Sequence, residues 1–333
     1  MSVVIAIGMF LALVVVMSIA SVWLTNGLKK IGARLRFREA LLGILTALGA
    51  DAPEITSAIA VLYFNHHDLA LGVVLGSNIF NLAGLLGLSA LVAGRVEIGR
   101  HGLLVNGGVG LLVTVVVGVL IMARISPWLT LVMLMLLLVP YLFLASLHPQ
   151  QLQRLSVPAA MKRFLAIAVE HAHRDARKRN VLAHATWKQG VLVLASLVLI
   201  VAASSGMVRI AVTLANRWNI SQAVVGTLVL AALTSIPNVA AAVHLAWEGR
   251  GAAVISETFN SNTINAVIGI CLPALVFGLE TPSKPIEFSV FWLIGMSVVA
   301  LTAASFRKGL HRVGGGIIIG LYVFFAAVIV LWR

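Results

Sequence analysis

Two stretches decide how this chain folds: 48-LGADAPEITSA-58 and 72-GVVLGSNIFNLAGLLG-87. In the first, Asp51 and Glu54 lie inside an apolar run from Ala40 to Phe64. An acidic residue near a bilayer centre costs on the order of 2.5–3.5 kcal/mol on insertion scales, and two so close also repel. Such residues face a polar cavity, a cation or each other. Pro53 has no amide hydrogen and clashes with the preceding turn, and Gly49 loosens that turn. The stretch therefore predicts a helix broken or kinked at Gly49 and Pro53, with freed carbonyls that suit a hard cation. The plainer alternative is a kinked structural helix whose acids are protonated and packed in protein. In the second stretch Ser77 and Asn81 are four residues apart and share a helix face. Both offer uncharged oxygen ligands, although they could equally serve hydrogen bonding between helices. Gly72, Gly76, Gly84 and Gly87 allow close helix packing.

The rest of the chain is membrane-like. Of its 333 residues, 60% are hydrophobic and 11% charged, and the mean hydropathy is +1.05. Soluble domains are nearer 45–50% apolar and about 25% charged, so an ordinary cytosolic enzyme or nucleic-acid binder is excluded. Apolar runs predict ten spans at 2–24, 40–64, 69–93, 103–122, 127–146, 189–214, 221–246, 252–278, 286–305 and 314–331. Residues 2–24 are too long for a signal-peptide core and lack a basic segment before them, so they read as a retained first helix. Residues 147–188, with eight Lys and Arg, divide the chain into 1–146 and 189–333, five spans each. The net charge of +13 sits mostly in alternate loops, 19 basic residues against 5. The positive-inside tendency then places 147–188 in the cytoplasm and both termini on the opposite side. Membrane lipid, not nucleic acid, is the expected partner of this charge.

Five is an odd number, so two similar halves must be inverted relative to each other. Residues 47–90 align without gaps on 231–274 at an offset of 184, with eight of 44 positions identical. Pro53 pairs with Pro237, and Ser77, Asn78 and Asn81 pair with Ser261, Asn262 and Asn265. The second copy reads 232-ALTSIPNVAAA-242 and 256-SETFNSNTINAVIG-269. Ser235 stands at the place of Asp51 and Asn238 at the place of Glu54, and Pro237 predicts a second helix break. Thr234 adds a hydroxyl. Glu257, Ser261 and Asn265 form one polar stripe at i, i+4 and i+8, unless Glu257 lies near an interface. The fold class is thus all-α: a polytopic membrane protein of ten transmembrane helices in two inverted five-helix repeats.

The pattern G-x-x-x-P-E followed by G-S-N-x-x-N, repeated in an inverted second half, resembles the sodium/calcium exchanger superfamily of cation antiporters. Here the copies are 49-GADAPE-54 with 76-GSNIFN-81, and 233-LTSIPN-238 with 260-NSNTIN-265. The resemblance implies antiport of Ca²⁺, or a related cation, against Na⁺ or H⁺ by alternating access, with no cofactor and no enzymatic reaction. It implies Glu54 as the main Ca²⁺ ligand, Ser77 as a contributor to Na⁺ binding and Asn81 as a lining residue. Thr234, Ser235 and Ser261 would be their counterparts. The sequence departs from the family where Ala50-Asp51 replaces the usual Thr-Ser and where Asn238 replaces a glutamate. An aspartate common in prokaryotic exchangers is Asn265 here, and Glu257 replaces an asparagine. Asp51 and Glu257 are placed to supply the missing charge. Asn238 and Asn265 then read as neutral members of a cation-binding set that also holds Asp51, Glu54, Ser77, Asn81, Thr234, Ser235, Glu257 and Ser261. The missing second glutamate also keeps open a monovalent cation/H⁺ exchanger. A third possibility is a non-transporting membrane sensor or subunit, which retention of Glu54 disfavours.

Other residues carry weaker signals. His66, His67 and Asp68 read as a solvated turn, His244 as a core histidine in the seventh span, and 159–180 as a basic surface helix on anionic lipid. Cys271 reads as a small core residue. No phosphate-binding Gly-rich loop appears, which argues against ATP-driven pumping. The expected location is the cell (inner) membrane. A protease confined to the cytoplasmic face should cleave within 147–188 and leave tags at both termini intact. Cleavage of a C-terminal tag from that face would overturn the orientation.

Overall fold

The computed structural model describes residues 2–35, 39–97, 103–123, 125–146, 187–306 and 309–332; the basic surface helix expected at 159–180 and nearly all of the cytoplasmic segment expected at 147–188 lie outside them. Among the described residues, eight helices are long and apolar enough to cross a membrane: α1 (Val3–Arg34), α4 (His67–Ala93), α5 (Leu103–Met122), α7 (Trp187–Trp218), α8 (Gln222–Trp247), α9 (Gly251–Phe277), α10 (Lys284–Ser305) and α11 (Arg312–Leu331). A ninth span is the bent pair α2 (Glu39–Ala50) and α3 (Ala52–Tyr63). The tenth is α6 (Pro127–Ser146), apolar over Pro127–Phe143. All ten expected spans are helical. Two short strands, β1 (Arg95–Glu97) and β2 (Gly309–His311), pair antiparallel with Val96 opposite Leu310.

Helix boundaries carry the repeat further than the residues do. Adding 184 to α1 gives 187–218, the bounds of α7, and adding 184 to α4 gives 251–277, the bounds of α9. The end of α3 at Tyr63 maps onto the end of α8 at Trp247. One pair of π-helical turns follows the offset to within a residue, Leu82–Leu88 in α4 and Val267–Cys271 in α9, while Leu103–Gly107 and Val225–Leu230 have α-helical counterparts. The 25–39 segment, expected as a basic loop, is largely helix: α1 carries Lys29, Lys30 and Arg34 on its last turns. At 1.5 Å per residue, 32 residues span about 48 Å, more than the roughly 30 Å hydrocarbon core. Helices of that length tilt and carry charge into the interface; α1 and α7 pack along each other.

Burial ranks the helices. In α4, 94% of the apolar window is buried, against 22% in α11 and 28% in α1. The outer helices expose Val4, Leu11, Val15, Leu136, Leu194 and Val323, as lipid-facing surfaces require. Glycines let the central helices touch. A side chain on Gly72 would come within 3.1 Å of the Ala223 carbonyl, and one on Gly76 would overlap the Thr227 backbone, in the π-helical turn Val225–Leu230 of α8. Loops gather at two ends. At one end β1 meets β2, and Gly251 at the start of α9 abuts the Glu97 backbone. At the other, the Asp68 carboxylate accepts from the Ser283 amide at 3.2 Å, and His67 lies 3.6 Å from Glu280.

The structure corrects three readings. His67 is buried and opens α4, so 66–68 is no solvated turn; among the described residues no group of three acids, histidines or cysteines could hold a metal there. His244 is 70% exposed and pairs with Glu248 at 3.3 Å, because it sits near the end of α8 and not in the core. Pro237 does not break its helix. α8 runs through it, with its irregularity two turns earlier at Val225–Leu230. Overpacking the α4–α8 crossing should cost about 1–3 kcal/mol. Gly76→Val is therefore expected to lower Tm in detergent by several degrees, while Gly8→Val, with nothing within 4 Å, should leave it unchanged.

Candidate functional site

The site begins at the break between α2 and α3. Pro53, early in α3, cannot donate to the Gly49 carbonyl, and the two helices diverge by 60° around Asp51. Gly49 is required by packing as well: a Cβ there would lie 2.8 Å from Thr25 Oγ1 of α1. Asp51 and Glu54 thus stand at the N-terminus of α3, where the helix dipole favours negative charge. Both are buried, at 1% and 0% exposure, and among the described residues they are the only acids so enclosed.

Every side-chain donor seen on these carboxylates comes from the second half of the chain. Ser235 Oγ donates to Glu54 Oε1 at 2.9 Å. Asn238 Nδ2 donates to Asp51 Oδ1 at 2.9 Å and approaches Glu54 Oε1 at 3.4 Å. Ser261 Oγ donates to Asp51 Oδ1 at 2.6 Å. Asn81 Nδ2 continues the network to Ser261 Oγ at 3.0 Å and to Asn262 Oδ1 at 3.1 Å.

A pseudo-two-fold axis passes through this network. Asn78 and Asn262, 184 residues apart, donate their amides to each other's backbone carbonyls, both at 3.0 Å. Around them, Asn81 donates to Asn262 Oδ1 at 3.1 Å and Asn265 donates to Asn78 Oδ1 at 3.3 Å, the same bond in each half. The Ser235–Glu54 and Asn238–Asp51 bonds are likewise equivalents under the 184 offset. The geometry is symmetric and the charge is not, because both acids belong to the first half.

Among the buried oxygens without a hydrogen-bond partner, six lie at the break, on α3 and in the middle of α4 and α9: Asp51 Oδ2, Glu54 Oε2, Ser57 Oγ, Ser77 Oγ, Asn81 Oδ1 and Asn265 Oδ1. Buried polar atoms are normally paired. Here the unpaired atoms are all oxygens, in or next to one hydrogen-bonded network. A set of oxygens carrying two carboxylates can coordinate a hard cation.

Of the expected residues, Asp51, Glu54, Asn81, Ser235, Asn238, Ser261 and Asn265 enter this network, and Ser77 is buried one turn from Asn81. Thr234 does not join it through its hydroxyl, which turns back to the Leu230 and Ala231 carbonyls at 3.0 and 3.1 Å. Glu257 is half-buried on α9, one turn from Ser261. Sequence reasoning gave no role to Asn78 and Asn262, although both matched across the repeat. It also passed over Ser57, one turn beyond Glu54.

Ten spans, an inverted repeat and an acid-bearing oxygen cluster on its axis define the class of secondary ion transporter folds. The chain belongs to the sodium/calcium exchanger family, whose profile, described as sodium/calcium exchanger protein, matches residues 5–147 and 188–331. The inner membrane protein YrbG of Escherichia coli (strain K12) is 29% identical over 256 residues, covering 74% of this chain and 71% of that protein. The solved structure of YfkE superposes with a TM-score of 0.66 at 15% identity, over 97% of this chain and 92% of that one. The sodium-calcium exchanger NCX_Mj gives 0.62 at 21% identity, over 98% and 99%.

Asn262→Ala would remove one of the two donors on the Asn78 carbonyl, which keeps the Leu82 amide, and would leave one Asn81 amide hydrogen unpaired, at about 1–3 kcal/mol for that buried group. Asn262→Ala and Asn78→Ala should each lower Tm markedly. The double variant should lose less than the sum; strict additivity would show that the axis pair is not coupled.

Proposed function

We propose that this protein is a secondary antiporter that carries one divalent cation, Ca²⁺ foremost, against two protons by alternating access. The observation that carries the reading is the pair of enclosed carboxylates with the six unpartnered oxygens. Ca²⁺ takes six to eight oxygen ligands, so six oxygens are enough in number for one coordination shell and too few for two. Two Na⁺ would need two shells. Two protons need none, since each carboxylate takes one directly. Two negative charges balance one divalent ion or two protons alike, so the exchange is electroneutral. Asn238 supports this stoichiometry. An amide donating toward both acids stands where a third carboxylate would have added charge.

The protein is an integral membrane protein, as its apolar helices and family require. We place it in the cell membrane, in keeping with the name of YrbG, with residues 147–188 cytoplasmic and both termini opposite. Glu257 is an accessory charge, one turn along α9 from Ser261, which donates to Asp51.

In proteoliposomes a pH gradient alone should drive ⁴⁵Ca²⁺ uptake. The rate should be unchanged when valinomycin and K⁺ set the membrane potential to zero or to −100 mV. Glu54→Gln and Asp51→Asn should each reduce uptake at least a hundredfold while the protein stays folded. Uptake driven by a Na⁺ gradient and not by pH would replace protons by Na⁺. Wild-type flux in both variants, for every cation tried, would reject the site.

A further inference from the structure

The two halves differ most where the long helices meet the central ones. α1 packs along α2 and α7 packs on α3, whereas both make only slight contact with α8. The α1–α7 pair therefore leans on the broken span of the first half and away from its unbroken equivalent in the second.

One hydrogen-bonding group marks that contact. Ser21 of α1 is buried at 2% exposure, and its Oγ donates to the Gly49 carbonyl at 3.0 Å and approaches the Ala50 carbonyl at 3.3 Å. The Gly49 carbonyl is the acceptor that Pro53 leaves without a helical donor. Adding 184 to these three positions gives Ser205, Leu233 and Pro237. Pro237 strips the Leu233 carbonyl of its donor in the same way. The serine is present in both halves, yet Ser205 is half-buried and its hydroxyl makes no hydrogen bond to any described residue. One serine is engaged at a bent span, and the hydroxyl of its twin, in the half whose equivalent span is unbroken, is not.

In an inverted repeat, exchanging the conformations of the two halves turns a central site from one side of the membrane to the other. We propose that Ser21 and Ser205 are a pair of positioning residues for that exchange. The Ser21–Gly49 bond holds the state seen here, and a Ser205 bond to the Leu233 carbonyl holds the opposite one. Breaking one hydrogen bond and forming its equivalent leaves the states close in energy, so neither traps the carrier. Each bond alone is strong enough to shift the populations about three- to tenfold. This proposal rests on the alternating-access reading above, but not on which ions are carried.

The test measures direction, not flux. In a Cys271→Ala background, a Ser77→Cys reporter is labelled by a membrane-impermeant thiol reagent from each face of oriented vesicles. Ser21→Ala should shift the labelling ratio about three- to tenfold toward one face, and Ser205→Ala by a similar factor toward the other. The double variant should return near the parent ratio, and Ser21→Thr, which keeps the hydroxyl, should restore it. A merely structural role would lower the yield of folded protein without these opposed shifts. Shifts in the same direction, or none, would overturn the proposal. If Ser21→Ala does not fold, Ser205→Ala and Ser21→Thr still decide it. Labelling from a single face in parent and variants alike would instead remove the alternating-access reading itself. Opposed shifts in a protein that carries no Ca²⁺ would sink the ion assignment and leave the serine pair standing.

Discussion

Two carboxylates enclosed within the membrane set the terms for the rest of this molecule. Asp51 and Glu54 cannot be left uncompensated there, and the described residues place no salt-bridge cation beside them. What surrounds them is neutral: two serines and an asparagine donate, and other oxygens stand unpaired. A neutral cage relieves part of the desolvation cost but leaves the charge itself to be balanced by something that comes and goes. A resident arginine would have stabilised the acids permanently and ended any exchange. The same requirement explains why α4 is the most buried span and why its glycines press it against α8. Close backbone contact excludes water and lipid from the acids without adding a side chain that would fill the site.

The architecture was legible in the sequence because membranes simplify the problem. Backbone groups must be satisfied within each span, so apolar runs translate directly into helices. An odd number of spans per half then fixes the inversion. The repeat was harder to see than it is in space. Lipid-facing residues interchange freely among Leu, Val, Ile and Ala, so identity decays while helix length and register persist. That is why α1 and α7 share bounds at the 184 offset although their residues do not advertise it. Only positions bound to the axis stayed recognisable, and Asn78 and Asn262 are the clearest, since each completes the other's hydrogen bonds.

The readings that failed did so where tertiary context overrode local chemistry. Proline lacks a donor wherever it stands, but Pro53 begins a new helix while Pro237 lies inside one. The freed Gly49 carbonyl of the first half accepts from Ser21, whereas the hydroxyl of Ser205, the equivalent of Ser21, bonds to none of the described residues. The Thr234 hydroxyl donates to its own helix, a common option for threonine in an apolar span, and so stays outside the hydrogen-bonded network while keeping its oxygen lone pairs. His67 and His244 exchanged their expected environments, because burial at a helix end depends on which loop covers it, and no local pattern carries that information.

Symmetry of the backbone with asymmetry of the charge is the central physical fact of this site. A strictly two-fold arrangement would place one acid in each half, and each acid would move with its own repeat as the halves exchange conformations. Here both acids ride on the first half, and the groups that donate to them ride on the second. In the alternating access proposed above, motion of one half against the other would separate the carboxylates from their hydrogen-bond donors. Oδ1 of Asp51 and Oε1 of Glu54, now occupied by Ser261, Asn238 and Ser235, would be uncovered together. A carboxylate stripped of donors in a low-dielectric interior is costly unless a cation or proton replaces them. The bare, unloaded site is thus least tolerable during the transition itself. That penalty is what an exchanger needs to forbid the empty carrier from crossing, and in this chain it follows from where two acids stand along the sequence.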